Sequence, residues 1–142
     1  MPQKLKTLQT YYEELRVKGN LDVLDRLFAP GARTRGIMGD TAFDAEELKE
    51  LVAMVRPLLG PISFSIPKMM VQDDWLSALV EIKSHAIDNG TPINVFNQVM
   101  ARFDEDRMIE IYSNLDGLTF FEQLGLLPDN AMAVMLGGTR LR

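Results

Sequence analysis

An α+β fold, with N-terminal helices packed on a curved antiparallel sheet, is the architecture this sequence predicts. Three observations carry it. Apolar residues recur at helical spacing through the first sixty positions. The pattern then changes to the alternation of strands from Pro61 to Asp116, punctuated by hairpin signals. A short apolar run closes the chain after that last strand. Helices followed by an antiparallel meander cannot hide their apolar faces separately, so they pack as layers around one core.

Each element has its own justification. Leu5, Leu8, Tyr12 and Leu15 line one face of a first amphipathic helix that ends near Gly19, with Tyr11 off that face and partly exposed. Asn20 is the expected N-cap of a short second helix bearing Leu21, Leu24, Leu27 and Phe28. The stretch APGARTRGIMGDT breaks it into a loop or short irregular strand. Asp44 and Glu47 have capping-box spacing, and Leu48 to Leu59 continue a third helix that Gly60 and Pro61 stop. In PISFSIPKMMV, Ile62, Phe64 and Ile66 alternate with serines, and Pro67 marks an edge or a bulge. WLSALVEIKSHAI alternates Leu76, Ala78, Val80 and Ile82 against Trp75, Glu81 and His85. Asn89-Gly90 signals a hairpin to INVFNQVMARF, and DEDR turns that strand into MIEIYSNLD. The run GLTFFEQLG reads as a closing helix. We expect a single domain over 1–142, with a flexible end from Thr139 onward.

Composition narrows the function. The chain has 142 residues and a net charge of −5, with Lys and Arg scattered, so no footprint for nucleic acid is present. There is no cysteine and a single histidine, His85, which excludes disulfides, thiolate chemistry and a histidine zinc cluster. No metal and no cofactor is expected. A charged N-terminus without an apolar signal core, and no run of membrane-spanning length, make a soluble cytoplasmic protein the expectation. Nine methionines suit ordinary core filling or an adaptable apolar surface.

A curved sheet folded over a long helix encloses a cone. One sheet face lines it, and the other, which also carries apolar residues, needs cover that a second copy of the chain would supply. This order of elements, with YYEELRVKGNLDVLDRLFAPGAR and NGTPINVFNQVMARFDEDRMIEIYSNLDGLTFFEQLGLLP, resembles the nuclear transport factor 2-like superfamily, within it the SnoaL-like polyketide cyclase and ketosteroid isomerase-like branch. The resemblance implies a cystatin-like α+β roll, a homodimer through the outer sheet face, and a small apolar or aromatic molecule held in the cone. Cofactor-free isomerisation, cyclisation or dehydration is one expectation, and a non-catalytic ligand-binding or dimerisation module the other.

Site residues transfer only in part. Tyr12 matches the tyrosine that serves ketosteroid isomerases as oxyanion donor, but Gly36 and Val99 stand where their two aspartates would be. That mechanism is therefore not available. Likewise Asn97 and Val99 stand where limonene epoxide hydrolases carry part of their charged network. Asp116 matches the acidic residue ending the last strand of SnoaL-like cyclases, where burial would raise its pKa toward proton transfer. Its position before GLTFFEQLG also makes it the N-cap of the helix that follows, the reading the residues favour. His85 is its candidate partner acid or base, or a surface residue. Alternation places Val95, Asn97, Val99 and Ala101 inside the cone, with Ile109, Ile111, Ser113 and Leu115 on one face of the last strand and Met108, Glu110, Tyr112, Asn114 and Asp116 on the other. Asn97, Asn114, Tyr112, Trp75 and Val99 are the candidate ligand-binding residues. Trp75 covers the pocket mouth or anchors the dimer, and Met132, Val134, Met135 and Leu136 cover the cone or a partner subunit.

Overall fold

The computed structural model describes residues 2–141, so Arg142 of the expected flexible end lies outside the described residues. The first helix, α1 (Gln3–Thr10), continues without a break into a π-helical segment, Tyr11–Val17. Gly19 closes it with a φ of +73°, a left-handed conformation that a side chain would strain. Helix α2 (Val23–Leu27) starts at Asp22 rather than at Asn20, and the Asn20 side chain caps nothing; its carbonyl instead accepts from the Val23 amide at 3.3 Å. Helix α3 (Ala45–Val55) begins with the full capping box: Asp44 accepts from the Glu47 amide at 2.9 Å, and Glu47 accepts from the Asp44 amide at 3.1 Å. A 3₁₀ turn, Arg56–Leu58, finishes it before Gly60. No helix among the described residues is long and apolar enough to cross a membrane.

The sheet runs β1 (Thr34–Arg35), β5 (Arg107–Leu115), β4 (Pro92–Asp104), β3 (Trp75–His85), β2 (Ser63–Gln72). β1 pairs in parallel with β5, and the remaining pairs are antiparallel. Pro67 does what a proline does in a sheet. The β2–β3 register slips between Ser65 and Lys68, bending the edge strand around the helices. Two closing helices follow, α4 (Gly117–Gln123) and α5 (Ala131–Leu136).

Alternation along β4 is strict: Ile93, Val95, Asn97, Val99, Ala101 and Phe103 are buried while their neighbours are exposed. Together with Leu76, Ala78, Val80 and Ile111 they form the concave inner wall, filled by Leu8, Tyr11, Tyr12 and Leu15 from the first helix. The interior is thus a helix wrapped by a sheet, a cone-shaped α+β fold.

Two sequence expectations need correction. Tyr11 is buried at 5% exposure, because the wider π turn carries both tyrosines onto the sheet side. Met108 is also buried rather than sharing the outer face with Tyr112. Arg102 pairs with Glu110 but Phe103 pairs with Met108, so Ile109 is an extra residue that shifts the start of β5 by one position.

Candidate functional site

Polar groups meet at one place in the interior. Tyr12, from the π-helical segment, and Asn97 and Ser113, from adjacent strands, are each under 5% exposed. Asn97 Nδ2 donates to the Tyr12 hydroxyl at 2.7 Å and to Ser113 Oγ at 3.0 Å, and Ser113 Oγ donates to Asn97 Oδ1 at 3.2 Å. The Tyr12 hydroxyl thus accepts from Asn97, and its own hydrogen is left to donate elsewhere. Burial raises the Tyr12 pKa, helped by Tyr11 and opposed by Arg16 and by the Asn97 hydrogen bond, so the phenol stays protonated. An apolar shell surrounds the trio, with Leu15, Val99, Ala101 and the Phe64 ring, whose centroid is 5.4 Å from that of Tyr12. Such a group can donate to, and so polarise, a carbonyl or hydroxyl oxygen entering the cone.

Two further buried polar atoms have no hydrogen-bond partner among the described residues. One is Thr34 Oγ1, on a residue with no exposed surface. Thr34 stands beside Ile111, two residues before Ser113 on the neighbouring strand. The other is Arg16 Nε, and among the described residues the guanidinium makes only a long 3.4 Å bond to the Tyr11 hydroxyl. Burial works against the Arg16 charge, but the Tyr11 and Tyr12 hydroxyls more than offset it and hold its pKa above the ordinary value.

The remaining candidates lie elsewhere. Asp116 is exposed and caps α4, accepting from the Thr119 amide at 3.2 Å and from Thr119 Oγ1 at 2.7 Å. His85, half-buried, ends β3 opposite Pro92 with its ring against Gly60. The Asp116 amide bonds the Phe96 carbonyl, four residues farther along β4, so the two are not brought together. A hollow of about 570 Å³ beside His85 is lined by Gly19, Arg56, Gly60 and Ile87.

Trp75, Tyr112 and Asn114 belong to the outer sheet face. Trp75 stacks on Tyr112 at 6.4 Å, Tyr112 donates to Glu110, and Asn114 Nδ2 donates to the Gly36 carbonyl at 3.1 Å. A hollow of about 600 Å³ opens on this face over Met70, Leu79, Gln98, Met100, Tyr112 and Asn114. Val99 faces inward but also borders this hollow. The candidates therefore separate into an interior group, Tyr12, Asn97 and Val99, and an outer group, Trp75, Tyr112 and Asn114.

Ser113, Thr34 and Arg16 went unnoticed in the sequence. Ser113 carried a signal, a lone hydroxyl at an inward position of an apolar strand. Arg16 follows Tyr12 by four positions, the spacing of neighbours on one helix face. Thr34 carried none, since it sits in a loop without periodicity.

Solved structures share this fold. IdmH from Streptomyces antibioticus, provisionally described as a polyketide cyclase, superposes with a TM-score of 0.76 at 20% identity, covering 87% of this chain and 99% of its own. A protein from a Jannaschia species, provisionally described as a SnoaL-like polyketide cyclase, gives 0.74 at 15% identity, covering 89% and 94%. TerC, co-crystallised with polyporic acid, gives 0.72 at 14% identity, covering 87% and 99%. No family profile matches the sequence. No characterised protein matches it by sequence either. At these identities the likeness establishes the fold alone, one shared with proteins provisionally described as polyketide cyclases, and leaves the reaction open.

Proposed function

We propose that this protein binds a small apolar or aromatic molecule inside the cone, with Tyr12 and Asn97 hydrogen-bonding an oxygen of that molecule. The observation that carries this reading is the buried Tyr12–Asn97–Ser113 cluster, a polar patch in an otherwise apolar interior. Buried polar groups cost stability unless paired, and here a mutually hydrogen-bonded trio is kept within the apolar core, with the Tyr12 hydroxyl hydrogen left to donate to a ligand oxygen. Proteins provisionally described as polyketide cyclases and a protein co-crystallised with polyporic acid share the fold, which supports a ring-bearing ligand.

Of the two expectations, binder and acid–base enzyme, the site geometry favours the binder. Asp116 is engaged as a helix cap and His85 lies against Gly60, so neither carboxylate nor imidazole supports proton transfer in the interior. The chain acts as a homodimer in this reading. Its outer sheet face carries Met70, Phe96 and Met100 at 73%, 45% and 47% exposure, an apolar area that a second copy would cover.

The test is a methyl-NMR titration with 2-naphthamide, a neutral two-ring probe. Methyl signals of Leu15, Val99 and Ala101 are expected to shift, with those of Met70 and Met100 unmoved by the ligand. Asn97→Leu should weaken binding at least several-fold, whereas Asp116→Asn, whose amide oxygen can still cap, should leave it unchanged. Shifts confined to the outer-face methyls would overturn the interior site.

A further inference from the structure

Arg16 is a charged group in a place where charges are not left alone. Its residue keeps only part of its surface in solvent, and its Nε–H is fully enclosed with no acceptor among the described residues. Among the described residues no carboxylate lies within 4 Å of its guanidinium. The nearest acidic neighbours on the helix are otherwise placed: Glu14 pairs with Lys18 at 3.6 Å and Glu13 is exposed. A half-buried guanidinium carries a desolvation cost that a chain ordinarily offsets with Asp or Glu. Here the environment offers two phenols instead. The Tyr11 hydroxyl lies 3.4 Å from a terminal nitrogen, and the Arg16 carbon centre lies 6.0 Å from the Tyr11 ring centroid.

The position is set by local structure. Within the π-helical segment, residues five apart come into register, which brings Arg16 back onto Tyr11. Arg56 then fixes the segment's end, donating to the Arg16 carbonyl at 3.1 Å and the Val17 carbonyl at 2.8 Å. Arg56 thus satisfies backbone, and Arg16 is left with side-chain donors to spare. Tyr11 in turn stands edge-on to Tyr12, ring centroids 5.0 Å apart, so the guanidinium adjoins the buried polar cluster. An unpartnered guanidinium donor beside a buried polar cluster describes the complement of an acceptor that the described residues do not supply.

We infer that the interior ligand carries an anionic oxygen, a carboxylate or an acidic enol, and that Arg16 is its counter-ion. This rests on the interior binding site proposed above and deepens it, replacing "apolar or aromatic" with "aromatic acid". Hydrogen bonds to a charged oxygen are about twice as strong as neutral ones, so the charge should dominate selectivity.

The experiment compares 2-naphthoate with 2-naphthamide, matched in shape and different in charge, by the same methyl-NMR titration and by calorimetry. The wild-type protein is expected to bind naphthoate about ten-fold or more tightly than the amide, the scale of one charge-assisted bond. Arg16→Met should erase that preference and keep amide binding, while Arg16→Lys should retain part of it. Because Met removes an unsatisfied buried donor, the variant's melting temperature should hold or rise. Binding of the amide with no gain for the carboxylate would overturn the Arg16 assignment alone. A fall of several degrees in the Arg16→Met melt would also overturn it, by making Arg16 part of the fold. Interior binding of neither probe would overturn the ligand-site reading beneath it.

Discussion

Asn97 stands among valines and alanines on the inner wall, and its amide joins the first helix to the last long strand. Tyr12→Phe would leave Asn97 Nδ2 one partner short in a dry site, a loss of about 1–2 kcal/mol in chemical denaturation. The same substitution reads out the phenol's titration. Burial raises the Tyr12 pKa, so the folded chain keeps a proton that the unfolded chain releases from about pH 10. The stability tied to that proton is complete below about pH 10 and drains away as pH rises further. Melting temperature measured across the alkaline range should fall less steeply for Tyr12→Phe than for the wild type; equal slopes would remove Tyr12 as the source.

At the scale of elements, small irregularities do the positioning. The π-helical segment turns Tyr11 and Tyr12 toward the sheet and brings Arg16 onto Tyr11, and the extra residue Ile109 sends Met108 inward while Glu110, Tyr112 and Asn114 stay outside. Gly36, at a φ of +93°, lets the loop before α3 close on β5, since a Cβ there would sit 2.7 Å from Asn114 Nδ2. Gly60 has a different reason to be glycine: any Cβ would collide with the His85 ring. Gly60→Ala should therefore cost about 1–3 kcal/mol, the scale of overpacking. Because the obstruction is one side chain, His85→Ala should recover most of that cost, giving a coupling energy in a double-mutant cycle. Additive losses would mean the ring is not the obstacle.

For the whole molecule, the sheet has two apolar faces and the helices cover one. The uncovered face has hydrogen-bonded polar groups at one end, Asp74, Arg102 and Glu110, and apolar side chains at its middle. That is the distribution of an interface with an apolar centre and a charged rim. Sedimentation should give a dimer, and Met100→Lys together with Phe96→Lys should shift it to monomer while the interior 2-naphthamide titration persists. A wild-type monomer at all concentrations would remove the dimer from the proposal.

The sequence by itself determined the architecture. Binary pattern, capping box and hairpin signal are local codes, and each is written within a few residues: Asp44 with Glu47, Asn89 with Gly90, the strict alternation of β4. It also placed Tyr12, Asn97 and Val99 inside, because inward parity in a regular strand or helix is arithmetic. What parity could not reach lay beyond an irregularity. A bulge at Ile109 and a π turn at Tyr11 change phase without a marker in composition, so Met108 and Tyr11 came out on the wrong side. Only the tertiary structure decided which polar residues meet. Asp116 and His85 look like partners by residue type, yet the strand register separates them, while Tyr12, Asn97 and Ser113, distant in the chain, converge because three elements pack there. Chemistry at a site depends on distances between elements, and those are set by how curvature and register bring the layers together.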